Sequence, residues 1–214
     1  MTQPFSGEQL AAYLRRRAAG NITDGELPMF ILQQHQTDNL HFNLRFEVGD
    51  DLASWALPDA PWPNPEAKRA AVPVADYPLD RATFEGQNPS DEYGGGVILL
   101  WDAGTYRLLD ADDPLDAQAM LKAIDAGRVR VWLEGQKLKG GWGLHRSGAD
   151  NAWVFEKLHD EHADPDANLP TRRPESVLSG RTIQDWTGFD IESPRALGDR
   201  GDEGNMYGGR RPDA

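Results

Sequence analysis

The side chains best suited to chemistry gather between His35 and Arg45, within the stretch QQHQTDNLHFNLRFE that ends at Glu47. Two neutral imidazoles and an amide oxygen suit a borderline divalent ion such as manganese or zinc. A guanidinium beside them offers a planar fork matched to phosphate oxygens. On spacing alone, His35, His41 and Asn43 read as a metal site and Arg45 as a phosphate contact. A solvated polar strand face explains the same spacing.

The elements that must position these groups follow from the alternation around them. From Leu40 onward, Leu40, Phe42, Leu44 and Phe46 share one parity, and His41, Asn43, Arg45 and Glu47 share the other. Side chains along a strand alternate between faces, so the first set lines a core and the second projects together into one pocket or solvent face. The apolar run Met29–Leu32 leads to His35, and Gln36-Thr37-Asp38-Asn39 is a turn-forming break. A hairpin over this stretch returns His35 to the side of His41.

Other candidates carry weaker signals. Arg15-Arg16-Arg17 suits phosphate, or equally the solvated C-terminus of a helix, whose dipole favours cations. Gly94-Gly95-Gly96 could cradle phosphate with backbone N–H groups, but no helix follows and close backbone packing beside a strand fits better. His159-Asp160-Glu161-His162, with Asp164 and Asp166, has the composition of a metal cluster and the polarity of a linker. Glu85 and Glu92 serve either as acid-base groups or as loop anchors. His145, beside Arg146, reads as structural or exposed.

The chain has 214 residues, 39% hydrophobic, with 22 Gly, 15 Pro, no Cys and a net charge of -13. That length holds one core of moderate size with appended arms. The absence of cysteine excludes disulfides and thiolate metal sites and fits a cytoplasmic protein. No apolar run is long enough to span a membrane. The acidity argues against coating nucleic acid nonspecifically, though it permits contact with a few phosphates.

Three parts are expected: an N-terminal helix and arm (1–27), a β core (28–160) and a partly disordered C-terminal extension (161–214). Ser6 as N-cap, Gln9 and Gly20 bracket a helix with a Leu10, Tyr13, Leu14 stripe. Ala53–Leu57 reads as a strand, followed by an extended proline-rich connection around Trp62. A short strand resumes at Ala71–Val74, and Tyr77–Arg81 reads as a turn. Val97–Trp101 reads as a buried strand that Asp102-Ala103-Gly104 reverses into Thr105–Leu109. Asp113 as N-cap and Pro114 at the first helical position start a crossover helix that Gly127 ends. Val129–Leu133, Lys137–His145 and Ala152–Phe155 form an antiparallel meander with turns at Glu134-Gly135 and Ser147–Asp150. Ser176–Trp186 suits one more short helix, with Trp186 and Phe189 tethering the tail.

The motif order H-x5-H-x-N-x-R-x-E, SWALP, DYPLDRATFEG, EYGGG, WD-x-GTY, EGQKLKGGW and W-x3-K-x2-D, running from about Phe30 to Asp160, resembles the 3'-phosphoesterase domain of bacterial DNA ligase D. The resemblance implies a small, mainly antiparallel β-barrel with two short helices. It further implies a bound manganese, or another divalent ion, and trimming of DNA 3' ends by removal of a terminal 3'-phosphate or ribonucleoside. His35 and His41 match the family's metal-binding histidines, and Arg45 its phosphate-contacting arginine.

Other positions depart from that pattern. Asn43 stands where the family has a metal-binding aspartate, Tyr77 where it has a phosphate-contacting histidine, and Arg81 where it has a tyrosine. In a looser alignment, Ala18 replaces an acidic residue. Asn43 removes a negative charge and weakens metal affinity. Tyr77 and Arg81 exchange the hydroxyl and cation of the family pair, which either retunes or impairs the phosphate site. The resemblance makes Arg45, Tyr77 and Arg81 the expected catalytic groups of a monomer acting on DNA 3' ends, with an end-joining ligase or polymerase as partner. Two rival readings are a DNA-end or protein-binding module without turnover, and a phosphoesterase for another substrate.

Overall fold

The alternation beginning at Leu40 becomes strand β2 (Leu40–Val48), paired antiparallel with β1 (Met29–Gln36) so that His35 faces His41 and Gln33 faces Asn43. The computed structural model describes residues 7–21, 23, 25–88, 95–113, 116–148 and 152–187. The chain continues through β3 (Asp51–Leu57), β4 (Arg69–Pro78), β5 (Gly86–Asn88), β6 (Gly96–Leu108), β7 (Arg128–Gly135), β8 (Lys139–Arg146) and β9 (Trp153–Lys157). The strand order β1-β2-β3-β4-β9-β8-β7-β6 closes through β6 pairing with β1, giving an eight-stranded antiparallel barrel, and β5 adds to β6 outside it. Fold class and meander are as the sequence implies.

Inward residues follow the period-two rule. Phe30, Leu32, Leu44, Phe46, Trp55, Trp142 and Phe155 are fully buried in one cluster. Trp142 stacks on Phe155 at 4.8 Å between ring centres, and Phe46 meets Tyr106 edge-on at 5.1 Å. Each such side chain removed from water contributes about 1.5–3 kcal/mol, so the barrel is a rigid support for whatever its outer face carries.

The outer face of β1, β3 and β6 is covered in turn. Leu10, Tyr13 and Leu14 of α1 (Gly7–Ala18) pack on Met29, Ile31, Leu52 and Leu79. The helix ends as expected at Gly20 with a positive φ of 75°, whereas the Ser6 cap lies outside the described residues. Arg17 fits neither reading of the arginine run, being neither solvated nor available to phosphate, whereas Arg15 is exposed. It is buried, and its Nε and Nη2 donate to Glu47 at 2.8 and 2.6 Å. Glu47 also accepts from the Met29 backbone N–H at 2.8 Å, so one carboxylate ties α1 to both strands of the hairpin.

Asp102-Ala103-Gly104 does not reverse the chain, and β6 runs unbroken through it. Asp and Gly serve here for close approach. The Asp102 carboxylate accepts from the backbone N–H groups of Gln136, Lys137 and Leu138 at 2.9, 3.0 and 2.8 Å. A Cβ on Gly104 would lie 2.1 Å from the Glu134 carbonyl oxygen. Gly96 has the packing role expected of it, with φ at 118° and the Gln36 carbonyl 2.2 Å from where a Cβ would stand; Gly94 lies outside the described residues.

Tyr77 is not in a turn but near the end of β4, opposite Leu52, and a 3-10 turn over Leu79–Arg81 follows. The helix after β6, α2 (Ala117–Asp125), is capped by Asp116, which accepts from the Gln118 N–H at 2.8 Å, rather than by Asp113. Pro114 and Leu115 lie outside the described residues. Because β6 and β7 are antiparallel neighbours, α2 is not a parallel crossover; Met120 and Ile124 join it to the barrel core. Residues 149–151 of the next turn also fall outside the description.

Two further short helices, α3 (Leu169–Arg172) and α4 (Ile183–Thr187), lie in the C-terminal extension. The single helix expected over Ser176–Trp186 does not form. Ser176 Oγ instead accepts from the N–H groups of Leu178 and Ser179 at 2.9 Å, and Gly180 turns the chain with φ at 73°. Residues 161–187 pack on the barrel. Lys137 Nζ and the Trp101 indole donate to the Arg173 carbonyl at 2.7 and 2.9 Å, and Val177 N–H donates to Leu100 O at 3.0 Å. Trp186 packs beside Val97 and Leu99, while Phe189 and the rest of the tail lie outside the described residues. Among the described residues, no helix is long and apolar enough to cross a membrane.

Candidate functional site

The outward face of the β1–β2 hairpin has two ends. At one, Glu47 is consumed by the Arg17 ion pair; at the other, His35, His41, Asn43 and Arg45 stand together. The two imidazoles are directly opposed in the ladder, with ring centres 4.7 Å apart. His35, Asn43 and Arg45 are buried and His41 is half-buried, so this is a recessed cluster rather than a solvated face.

A backbone carbonyl meets one ring nitrogen of each histidine. His35 Nε2 donates to Gly95 O at 3.1 Å, and His41 Nδ1 donates to Asn39 O over a longer 3.4 Å. A carbonyl only accepts, so both of these nitrogens carry protons, and in a neutral His41 ring the lone pair lies on Nε2. Burial brings the His41 pKa down to about 4, and the charges of His35 and Arg45 push the same way against the Asn39 carbonyl. The ring is therefore a neutral donor at ordinary pH.

Arg45 is held from three sides. Its Nε donates to Gln33 Oε1 at 3.0 Å, its Nη1 to Ser54 Oγ at 2.7 Å, and its guanidinium carbon lies 3.9 Å from the centre of the Tyr77 ring. Ser54 passes its own proton to Leu52 O at 2.7 Å. Such a locked guanidinium keeps its geometry when an anion arrives. Arg81 is exposed on the 3-10 turn, and no hydrogen bond or ion pair joins it to this cluster among the described residues.

Two imidazoles and a carboxamide oxygen are donors that suit a borderline divalent ion, so His35, His41 and Asn43 are the residues that could hold one. An ionised third ligand is missing. Among the described residues, no group of three or more His, Cys, Asp or Glu side chains could hold a metal. That also bears on His159–His162. There Asp160 accepts from the Gly141 and His162 N–H groups at 2.6 and 2.8 Å and pairs with buried Lys157 at 2.5 Å, a structural role. Glu85 is a loop anchor, accepting from Leu100 N–H at 2.8 Å and from the Ser176 hydroxyl; Glu92 lies outside the described residues. His145 stands 3.6 Å from Glu156 on the barrel surface.

A profile of the DNA Ligase D 3'-phosphoesterase domain matches residues 33–146, more than half of the chain, and takes in the whole cluster. The chain belongs to the DNA ligase D 3'-phosphoesterase family. It is 35% identical over 193 residues to the multifunctional non-homologous end joining protein LigD of Pseudomonas aeruginosa, covering 83% of this chain and 22% of that protein. It is 31% identical over 163 residues to the corresponding DNA repair protein of Mycobacterium tuberculosis, covering 72% of this chain and 20% of that one. The chain thus spans about a fifth of the length of these relatives.

Gln33 and Ser54, which hold Arg45, escaped the reading of the sequence. Gln33 shares the parity of His35 in β1 and was visible in that sense; Ser54 depends on the β2–β3 pairing that sets it opposite Arg45.

Proposed function

We propose that the His35–His41–Asn43–Arg45 cluster is a DNA 3'-end site of the ligase D phosphoesterase type, acting in end-joining repair beside a ligase or polymerase. The observation that carries this reading is the recessed pair of opposed imidazoles with a locked guanidinium on the same sheet face. A divalent ion such as manganese, held by His35, His41 and Asn43, would supply positive charge to polarise a terminal phosphate. Arg45 orients the phosphate oxygens, and burial keeps the His41 ring unprotonated. Asn43 supplies an oxygen without a charge, so the site works with a weaker hold on its ion than a carboxylate would give. Arg81, exposed on the 3-10 turn four positions after Tyr77, would restore the charge that Tyr77 lacks only by turning toward the bound phosphate.

The test is trimming of a primer-template bearing a 3'-phosphate or a 3'-terminal ribonucleotide, with manganese present. Activity above a His41→Ala control is expected, with Arg81→Ala reducing it more than Tyr77→Phe. No trimming beyond that control refutes the enzymatic reading for these substrates. The cover that Tyr77 places on Arg45 favours a second reading, binding of a DNA end without turnover. Retained binding of a 3'-phosphorylated end with no trimming would select it.

A further inference from the structure

Gln33 carries the one feature of this cluster that its architecture leaves unexplained. It is fully buried on the outward face of β1, opposite Asn43 and beside Arg45. The Arg45 Nε–H can only donate, so the amide oxygen must face it, as the 3.0 Å bond records. That orientation turns the amide NH2 away from the guanidinium. Gln33 Nε2 is enclosed and finds no hydrogen-bond acceptor among the described residues. Buried amide donors are nearly always paired with a protein group or a water, and one beside an arginine is placed to meet an anionic acceptor.

We infer that Gln33 is a substrate-contacting residue whose Nε2–H donates to a non-bridging oxygen of the phosphate held by Arg45. Gln33 and Arg45 together form an oxyanion seat. The Tyr77 ring lies over the guanidinium, so a phosphate approaching that face of Arg45 displaces the ring. The inference deepens the DNA 3'-end reading, which says whose phosphate is bound, but the seat itself answers to any phosphate monoanion or dianion. No covalent step is involved.

Inorganic phosphate is the probe, titrated into the 214-residue chain while the side-chain NH2 signals of Gln33 are followed by nuclear magnetic resonance. A saturable shift of that NH2 pair is expected in the wild-type protein. Gln33→Met removes the amide donor at similar volume and adds no charge, and Ser54→Ala, which removes the other hydrogen-bond partner of Arg45 without touching Gln33, is the comparison for a pure loss of support. Gln33→Met should weaken phosphate binding by about 10-fold or more, the usual scale of a hydrogen bond to a charged group. If Gln33→Met weakens it no more than Ser54→Ala does, Gln33 merely buttresses Arg45 and the inference falls. It falls equally if phosphate leaves the wild-type NH2 signals unmoved, a result that needs no variant to fold. A saturable Gln33 shift in a protein that trims no DNA end upholds the seat and removes only the 3'-end reading.

Discussion

Lowering the pH destabilises this fold through His41, and the size of the effect follows from its surroundings. Burial, the neighbouring His35 ring and Arg45 together bring its pKa from 6.5 in the unfolded chain to about 4. A base with a depressed folded-state pKa binds more protons when unfolded. Its contribution is therefore complete above about pH 6.5 and is lost as the pH falls through about 4. The gap amounts to ~3 kcal/mol, and the partial exposure of the ring brings it to ~2–3 kcal/mol. Asp102, pushed up to about 6 by burial against three backbone N–H groups, acts in the opposite direction over part of the range. It must be cancelled by comparing two proteins that both carry it. Urea unfolding of wild type and His41→Gln between about pH 4 and pH 7.5 does this, since only the wild type carries the His41 titration. The variant should gain ~2–3 kcal/mol relative to wild type on going from the upper to the lower end. A difference that stays constant within about 0.5 kcal/mol would refute the burial argument for this ring.

Three further outcomes are expected. Glu47→Gln leaves the Arg17 charge buried with only the more exposed Glu26 at 3.2 Å to pair with. It should cost ~3–5 kcal/mol in urea denaturation; a loss under about 1 kcal/mol would mean the pair contributes little. On the proposed manganese-binding reading, Asn43→Asp adds an anionic ligand and should raise manganese affinity by ~10-fold or more in calorimetric titration, whereas an unchanged affinity would count against position 43 as a ligand. Gly96→Ala drives a Cβ to 2.2 Å from Gln36 O at a φ of 118°. It should lower stability by ~2–4 kcal/mol in thermal melts, and an unshifted melt would contradict the packing described.

What was legible in the sequence was what local pattern determines. The hairpin that sets His35 against His41 follows from period-two alternation around a turn of Gln, Thr, Asp and Asn, because every side chain there reports its own face. Asp102-Ala103-Gly104 misled for a definite reason. Aspartate and glycine mark turns by bonding local backbone and by lacking a Cβ, and the same properties serve a straight strand that must pass close to another chain segment. Arg17 and Glu47 were illegible as a pair because their meeting depends on where α1 docks, a long-range outcome with no local signature. The site divides in the same way. The histidines, Asn43 and Arg45 share one strand parity, while the hold on Arg45 comes from β1, β3 and β4 and exists only once the sheet is assembled.

The stretch between Arg173 and Val177 has a consequence for how this protein lives among copies of itself. Along one edge of β6, pairing with β5 ends at Ile98 and pairing with β7 begins at Gly104. The intervening backbone is occupied by Glu85, which takes Leu100 N–H, and by Val177, which bonds Leu100 O. Were the chain to end at Asp160, Glu85 would still hold Leu100 N–H, but Leu100 O would lose Val177 and Leu99 would lose the cover of Ile183 and Trp186. Uncovered strand edges recruit further strands from neighbouring molecules. The residues beyond the barrel therefore shield this part of the β6 edge, and their loss would offer it to other chains.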